Sequence, residues 1–372
     1  MGNPELLAYL GTGQAVHDFE VFRQAMGYGK VVLYGQSYGT SFAQTYAVTY
    51  PEAVERLVLD GTIDLTRDGI ESRVDRIKAF EDVLSMVFDA CDQDRSCTRD
   101  MGMRAGEAYQ GLLDRLEAEP ATVRFPIKAD VWEDIPLTVD NLGYLALSSV
   151  YYDDYRMKFV RALTAATSRD DLVPMMRLGD LTYGSGVGPT MMNMAVTCLD
   201  FSVLGDDADA ELEAISVAWD QTPAFHRWLY MGVLPCVYWP HVDRTHNPPG
   251  PFRGERIPTL IVAAEADPTT PYSQSVSVSA ELDDGYLLTV RGGSHVMFGR
   301  GVPCIDMAVT EFILNGTKPT SPACDAEVIS PYAPLFPDSH TDLGRGLAKR
   351  FNNGRGYGRI EFRTSKDPKR SF

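Results

Sequence analysis

The chain has 372 residues, a formal net charge of −17 and a hydrophobic content of 44%. Its length exceeds that of a typical single-core domain, so we expect more than one structural unit. The acidic balance argues against a partner with a phosphate backbone, so we expect no nucleic acid. No apolar run reaches the roughly 18 residues that a membrane-spanning helix needs, so we expect no membrane span.

In chain order, the first part of the chain alternates helix and strand. Apolar side chains at helical spacing predict a helix over residues 14–26. The glycine-bounded run VVLY predicts a buried strand over 31–34, and a helix over 40–50 follows it. The run VERLVLD predicts a second buried strand over 54–60.

From about residue 66 to residue 250 the pattern becomes that of amphipathic helices. A proline-rich run, PPGP at 248–251, marks the end of this region. The predicted helices lie over 70–91, 103–116, 141–151, 159–166 and 210–219.

Strand and helix alternate again after this region, with strands predicted over 259–264 and 286–290 and helices over 272–282 and 304–314. Alternation on both sides of a helical insertion predicts an α/β fold with a mostly parallel sheet and an inserted helical lid. From Arg345 onward, nine Lys and Arg stand against two Asp and Glu, so we expect a disordered basic tail. We therefore expect a first core segment, a lid, a second core segment and a tail over residues 1–65, 66–250, 251–330 and 331–372.

The six cysteines predict disulfide bonds and no metal site. No two of them form a CxxC pair, and none is grouped with histidine at metal-ligand spacing. Their even count indicates three disulfides and an oxidising compartment, while the pairing and buried free thiols stay open. Against secretion, residues 1–30 hold no charged segment followed by an apolar one, as a signal peptide would.

The sequence Gly35-Gln36-Ser37-Tyr38-Gly39 matches the pattern G-x-S-x-G. In that pattern a serine lies on a sharp turn between a strand and a helix, and small neighbours let the backbone segments approach. Here the motif directly follows a predicted buried strand and opens a predicted helix. Ser37 is therefore our candidate nucleophile.

A serine hydroxyl needs a base to take its proton, and the base needs a carboxylate to orient it. In the α/β-hydrolase fold these partners follow the serine in the order acid, histidine, each just after a strand. Asp267 and His295 satisfy both order and placement, and Glu265 is the competing acid. We expect the backbone N–H of Tyr38, at a helix N-terminus, to be one oxyanion donor. The second donor should come from a loop after an earlier strand, which we do not find.

Several further motifs flank the candidate catalytic residues: LYGQSYGT (33–40), YPE (50–52), RLVLDG (56–61), TCLD (197–200), CVYWP (236–240), PTLIV (258–262), DPTTP (267–271) and GSH (293–295). Together they resemble the secreted tripeptidyl aminopeptidases related to prolyl aminopeptidases, over roughly residues 5–330. The resemblance implies an α/β-hydrolase fold and a Ser–Asp–His peptidase that acts near free N-termini. We expect no cofactor and no metal.

The resemblance also implies specific pairings and a location outside the cytoplasm. By this resemblance Cys91 pairs with Cys97, Cys198 with Cys236, and Cys304 with Cys324. An exopeptidase must bind a protonated α-amine, which calls for a carboxylate near the nucleophile. Asp200 is the candidate, with a plain surface or capping role as the equal alternative.

Members of the resembled family carry further strands and a glycine-rich loop before the point where this sequence starts. We therefore expect an N-terminally truncated fold, in which the strand at 31–34 shows an unpaired edge. Because one oxyanion donor contributes roughly 10²–10³ in rate, we also expect low activity. Two alternatives stay open: a carboxylesterase-type acyl hydrolase with the same three residues, and an inactive remnant.

Overall fold

The computed structural model describes residues 4–67, 69–128, 130–183, 187–200, 208–220, 234–239 and 256–332. The predicted tail lies outside these residues from residue 333 onward. Seven strands occur in the described part: β1 Val31–Gln36, β2 Val54–Asp60, β3 Ala121–Lys128, β4 Val131–Leu137, β5 Thr259–Ala264, β6 Gly285–Arg291 and β7 Ala323–Asp325. The helices are α1 Thr12–Ala25, α2 Tyr38–Thr49, α3 Gly69–Gln93, α4 Arg95–Met101, α5 Ala105–Ala118, α6 Val139–Ser149, α7 Asp153–Arg169, α8 Val173–Tyr183, α9 Val187–Asp200, α10 Ala208–Asp220, α11 Tyr272–Ala280 and α12 Pro303–Asn315.

Five strands form one parallel sheet in the order β1-β2-β5-β6-β7. All six residues of the central strand β5 are buried, because helices cover both faces of a parallel sheet. Within the described residues β1 pairs with β2 alone and therefore lies at the sheet edge, as we expected for the strand at 31–34. Its first four residues are half-buried.

The alternating side chains of β2 pack against different helices on the two faces of the sheet. Leu57 and Leu59 belong to a cluster with Val16 of α1 and Tyr46 of α2. Val58 points to the opposite face, where it shares a cluster with Phe312 of α12. A strand period of two thus places the apolar run between two helical layers.

The predicted helical insertion also contains two strands that the sequence patterns did not predict: over residues 121–137, β3 and β4 pair as an antiparallel hairpin. The sequence ATVRFPIK buries Val123 and Phe125 and exposes Thr122 and Arg124, which is strand alternation. The sequence pattern also missed the helices α4, α8 and α9. Three predicted helices of the insertion, α3, α7 and α10, are longer at both ends. The difference is largest for α7, which runs beyond 159–166 and is ended by Asp170 in a left-handed conformation.

Three disulfide bonds connect the described elements. Their pairs are those that the family resemblance implies. The bonds join Cys91 to Cys97, Cys198 to Cys236, and Cys304 to Cys324.

No helix among the described residues is long and apolar enough to cross a membrane.

Candidate active site

Ser37 lies on a sharp turn between the end of β1 and the start of α2. Its φ of 54° and ψ of −124° are a strained combination for a residue with a side chain. The Ser37 N–H donates to the backbone oxygen of Asp60 at 2.9 Å, which ties the turn to the end of β2. The helix α2 begins at Tyr38, two residues before the predicted start, so the serine sits directly at the helix N-terminus.

Gly35 explains why this turn requires the first glycine of the motif. A Cβ atom at Gly35 would lie 2.5 Å from the Gly39 oxygen and 3.0 Å from the Thr40 Cα. At Gly39 an added Cβ meets no atom of the described residues within 4 Å. The close backbone approach predicted for both glycines is therefore present at Gly35 and absent, in the described part, at Gly39.

The structure brings Ser37, His295 and Asp267 into one hydrogen-bonded chain. Ser37 Oγ lies 2.8 Å from His295 Nε2. His295 Nδ1 lies 2.9 Å from Asp267 Oδ2 and 3.0 Å from Oδ1. Because Nε2 must accept from the hydroxyl, the neutral ring carries its proton on Nδ1 and donates it to the carboxylate. This arrangement can activate the serine as a nucleophile.

Asp267, the candidate acid, is held by the turn that follows β5. Thr269 N and Thr270 N donate to Asp267 Oδ1 at 2.8 and 3.0 Å, and Thr270 Oγ1 donates to Oδ2 at 2.7 Å. Burial raises the pKa of Asp267, but the adjacent His295 and the bonds from Thr270 outweigh it and lower the pKa below its ordinary value. The competing acid, Glu265, is exposed and does not contact the imidazole.

The histidine loop is anchored from two sides. His295 N–H donates to the Tyr151 backbone oxygen at 3.1 Å, and the two rings meet edge to face with centroids 5.8 Å apart. After His295, Met297 N donates to Asp60 Oδ1 at 3.0 Å and Phe298 N donates to Oδ2 at 2.8 Å. Burial raises the pKa of Asp60 above its ordinary value, although these bonds oppose the rise.

Arg156 of α7 is fully buried and braces the loops of the acid and the histidine. Ala266 precedes Asp267, and Gly293 lies two residues before His295, so one guanidinium contacts both loops. Burial lowers the pKa of Arg156 to about 10. Its nitrogens donate to the backbone oxygens of Val150 at 2.8 Å, Ala266 at 2.6 Å, Gly293 at 2.7 Å and Val328 at 2.6 Å.

Gly61 leaves the space in which the acid and the histidine meet. Its φ is +70°, and an added Cβ would lie 2.8 Å from Thr270 Oγ1 and 3.3 Å from His295 Cε1. The sequence pattern identified Gly61 only as the end of a strand. A glycine directly after a buried strand, within a serine–acid–histidine framework, is the signal that could have found it.

Tyr38 follows Ser37 directly in the chain, and Asp200 is connected to the Tyr38 hydroxyl through Thr12. The N–H of Tyr38 is at the first position of α2, where helix geometry provides no intrahelical acceptor, so it can serve the oxyanion. Asp200 Oδ1 accepts from Thr12 N at 2.8 Å, and Oδ2 accepts from Thr12 Oγ1 at 2.5 Å. Thr12 Oγ1 also contacts the Tyr38 hydroxyl. Burial raises the pKa of Asp200, although the Thr12 bonds oppose the rise.

Of the other histidines, His17 alone lies in the described part of the chain, and it does not enter this chain of hydrogen bonds. His17 contacts the Tyr50 hydroxyl at 2.5 Å on the exposed face of α1. Among the described residues, no group of three His, Cys, Asp or Glu side chains could hold a metal ion. The remaining histidines, His226, His241, His246 and His340, lie outside the described residues.

Two family models match the chain. One, described as the alpha/beta hydrolase fold, covers residues 10–142, and the other, described as a TAP-like protein, covers residues 222–324. Together with the parallel sheet and the serine turn, these matches show that the chain has the α/β-hydrolase fold and that its C-terminal part matches the TAP-like family model.

Curated relatives are similar at low identity. Serine protease Hip1 of Mycobacterium tuberculosis is 27% identical over 327 residues, which is 85% of this chain and 62% of the relative. Carboxylesterase B of the same organism is 26% identical, over 86% of this chain and 61% of its own length. Tripeptidyl aminopeptidase of Streptomyces lividans is 27% identical, over 84% of this chain and 57% of its own length. The chain thus spans about 60% of the length of the curated relatives it matches.

Proposed function

We propose that this chain is a serine hydrolase that cleaves peptide bonds near free N-termini. The observation that carries the proposal is the hydrogen-bonded chain from Ser37 Oγ through His295 to Asp267. The peptide preference is supported by two of the relatives, a serine protease and a tripeptidyl aminopeptidase. The three disulfides support an extracellular or cell-envelope location, because such bonds persist in oxidising compartments.

In the proposed mechanism Ser37 Oγ attacks the carbonyl carbon while its proton passes to His295 Nε2. The carbonyl electron pair moves to the oxygen, which accepts a hydrogen bond from the Tyr38 N–H. When this intermediate collapses, the C–N bond breaks and the leaving amine takes the proton from Nε2. Water then attacks the acyl-enzyme, gives its proton to His295 and releases the acid, and the proton returns to Ser37. Asp267 stabilises the imidazolium in both halves.

We assign Asp200 to positioning in this proposal. Both of its carboxylate oxygens already accept from Thr12, whose backbone N–H opens α1. Asp200, the last residue of α9, thus caps the N-terminus of α1. The N-cap residue of α1, Gly11, has no side chain that could do so. These contacts favour the capping alternative over recognition of the substrate amine.

A fluorophosphonate probe tests the nucleophile directly, because only an activated serine reacts with it. We expect the native chain to be labelled at Ser37, Ser37→Ala to be unlabelled, and Asp267→Asn to react about 10⁴-fold more slowly. Ser85→Ala, at an exposed position of α3, is the matched control and should react like the native chain. An unlabelled native chain would contradict the proposal and favour the inactive-remnant alternative.

Substrate pairs separate the peptidase from the esterase alternative. We expect hydrolysis of a tripeptide anilide with a free N-terminus and a loss of about tenfold or more on acetylation of that N-terminus, in line with the strength of a charge-assisted contact. The name of one relative, Carboxylesterase B, supports the alternative. Cleavage of p-nitrophenyl butyrate with no cleavage of either peptide would favour the esterase.

A further inference from the structure

A cavity of about 220 Å³ lies between α3 and α6, beside Tyr151. Two arginines of α3, Arg73 and Arg76, line it together with aromatic and apolar side chains. Because they are three residues apart on one helix, their side chains lie on the same face. We call this cavity the arginine pocket. It contains two cations whose function the proposed mechanism does not explain.

Arg76 is held in a fixed place within the arginine pocket. Its Nη2 donates to the Tyr151 hydroxyl at 2.6 Å, and its guanidinium carbon lies 5.7 Å from the centre of the Phe80 ring. The rings of Phe80 and Tyr151 pack against each other with centroids 5.6 Å apart. Among the described residues the Arg76 guanidinium thus has one hydrogen bond and one aromatic face, which leaves further N–H donors for a ligand.

Arg73 is half-buried and makes no ion pair or hydrogen bond with the described part of the chain. Burial and the like charge of Arg76 lower the pKa of Arg73 to about 10. A cation removed from water beside a second cation is unfavourable until an anion joins it. The pair therefore favours an anionic ligand, and a planar carboxylate fits the donor geometry of guanidinium groups.

Tyr151 connects the arginine pocket to the proposed catalytic base. Its hydroxyl belongs to the pocket, its backbone oxygen accepts from His295 N at 3.1 Å, and its ring centre lies 5.8 Å from the imidazole. An extended peptide advances about 3.5 Å per residue. A substrate group bound in the arginine pocket would therefore belong to a residue that is at most a few positions along the peptide from the bond that Ser37 would attack.

We propose that the arginine pocket is a subsite that binds a carboxylate of the peptide substrate. The carboxylate comes from an acidic side chain or from the C-terminus of a short peptide. The inference rests on the proposed function, because that function supplies a peptide at Ser37. The inference goes beyond the proposed function because it adds a preference for a negatively charged substrate group, which the catalytic residues do not provide.

The test measures peptide binding to the Ser37→Ala variant by calorimetry, so that no turnover interferes. The probes are tetra-alanine amide, the same peptide with Glu or Gln at each position in turn, and tetra-alanine with a free C-terminal carboxylate. We expect one Glu peptide, or the free acid, to bind about tenfold or more tightly than its neutral counterpart. The Glu series and the free acid separate the two sources of the carboxylate.

Added substitutions then assign any preference to the arginine pocket. In Ser37→Ala with Arg73→Gln, and in Ser37→Ala with Arg76→Gln, the ratio of affinities should fall to about one, whereas Arg73→Lys should keep part of it. Lys78→Gln removes a charge from an exposed position of the same helix and should leave the ratio unchanged. Circular dichroism and melting curves establish that each variant is folded.

Two results would overturn the inference: equal affinities for charged and neutral peptides, including no binding of either, or a preference that persists in the folded Arg73→Gln and Arg76→Gln variants. Fluorophosphonate labelling of the native chain is independent of these titrations. A labelled chain without a carboxylate preference leaves the proposed hydrolase function standing. An unlabelled chain that shows the preference removes the hydrolase function and leaves the anion site.

Discussion

Asp60 ends β2, and its carboxylate faces the turn that follows His295. It accepts from the backbone of Met297 and Phe298, and from the Tyr34 hydroxyl at 3.1 Å. The same residue's backbone oxygen holds the Ser37 N–H. One residue thus connects the nucleophile turn to the histidine loop without touching a reacting atom, so its role is positioning.

Asp60→Asn should therefore slow chemistry more than it weakens substrate binding. The amide keeps one acceptor but sets an N–H group against backbone N–H donors, so the turn after His295 must shift. A displacement of about 1 Å costs roughly 10²-fold in rate, and we expect that loss in kcat and in fluorophosphonate labelling, with KM nearly unchanged. Asp306→Asn, which makes the same chemical change at the carboxylate that accepts from Gly299 N, is the control. A labelling rate equal to that of the native chain would refute this role.

The proposed catalytic residues could be predicted because each belongs to a local pattern. Ser37 lies between two glycines after an apolar run, and Asp267 and His295 each follow such a run. Arg156 and Asp60 have no such pattern, because their partners are distant backbone atoms. Arg156 lies 137 residues from Gly293, and Asp60 lies 237 residues from Met297. A single charged residue in a sequence resembles a solvent-exposed one, since charges are rarely buried.

At the scale of elements, α1 and α2 are joined through one carboxylate. Glu20 is 5% exposed and accepts from Tyr46 of α2 at 2.5 Å, and from Arg23 and Gln24 of its own helix. The bonds from Arg23 lower the pKa of Glu20 to about 2, against the opposing effect of burial. The packing of α1 against α2 therefore depends on the negative charge of Glu20, which protonation at low pH removes.

Glu20→Gln should lower the free energy of unfolding at pH 7 by about 1–2 kcal/mol, after allowance for solvent screening of the ion pair. Because the pKa of Glu20 is lower in the folded chain, its stabilisation is present above the unfolded pKa and is lost as pH falls toward 2. Melting temperatures between pH 5 and pH 2 should therefore converge for the two proteins. Glu117→Gln, at an exposed position of α5, is the control. Parallel curves over this range would contradict the assignment.

Sequence patterns predicted some of the strands and missed others. The mostly apolar runs of β1, β2 and β5 identified the parallel sheet, since successive residues of such strands are buried on both faces. The hairpin of β3 and β4 was missed, because it buries only alternate residues and lies among amphipathic helices. The three residues of β7 carry no periodicity at all, and only pairing with β6 makes them a strand.

At the scale of the whole molecule, disulfides tie short elements to the sheet. The bond between Cys304 and Cys324 joins α12 to β7 and closes a loop with a sequence separation of 20 residues. Few other contacts hold β7: it pairs with β6 over three residues, and the ion pair between Arg291 and Asp325 is exposed. Exposed ion pairs contribute little, so the covalent bond is the main constraint on this edge.

Replacing both cysteines, Cys304→Ser with Cys324→Ser, should therefore lower the free energy of unfolding by about 3 kcal/mol, mainly because the unfolded chain regains the entropy of the open loop. Removing the bond between Cys91 and Cys97, which spans only 6 residues, should cost less, about 2 kcal/mol. Urea unfolding followed by circular dichroism measures both losses. Equal losses, or a smaller loss for the longer loop, would show that native contacts and not loop closure determine the contribution of these bonds.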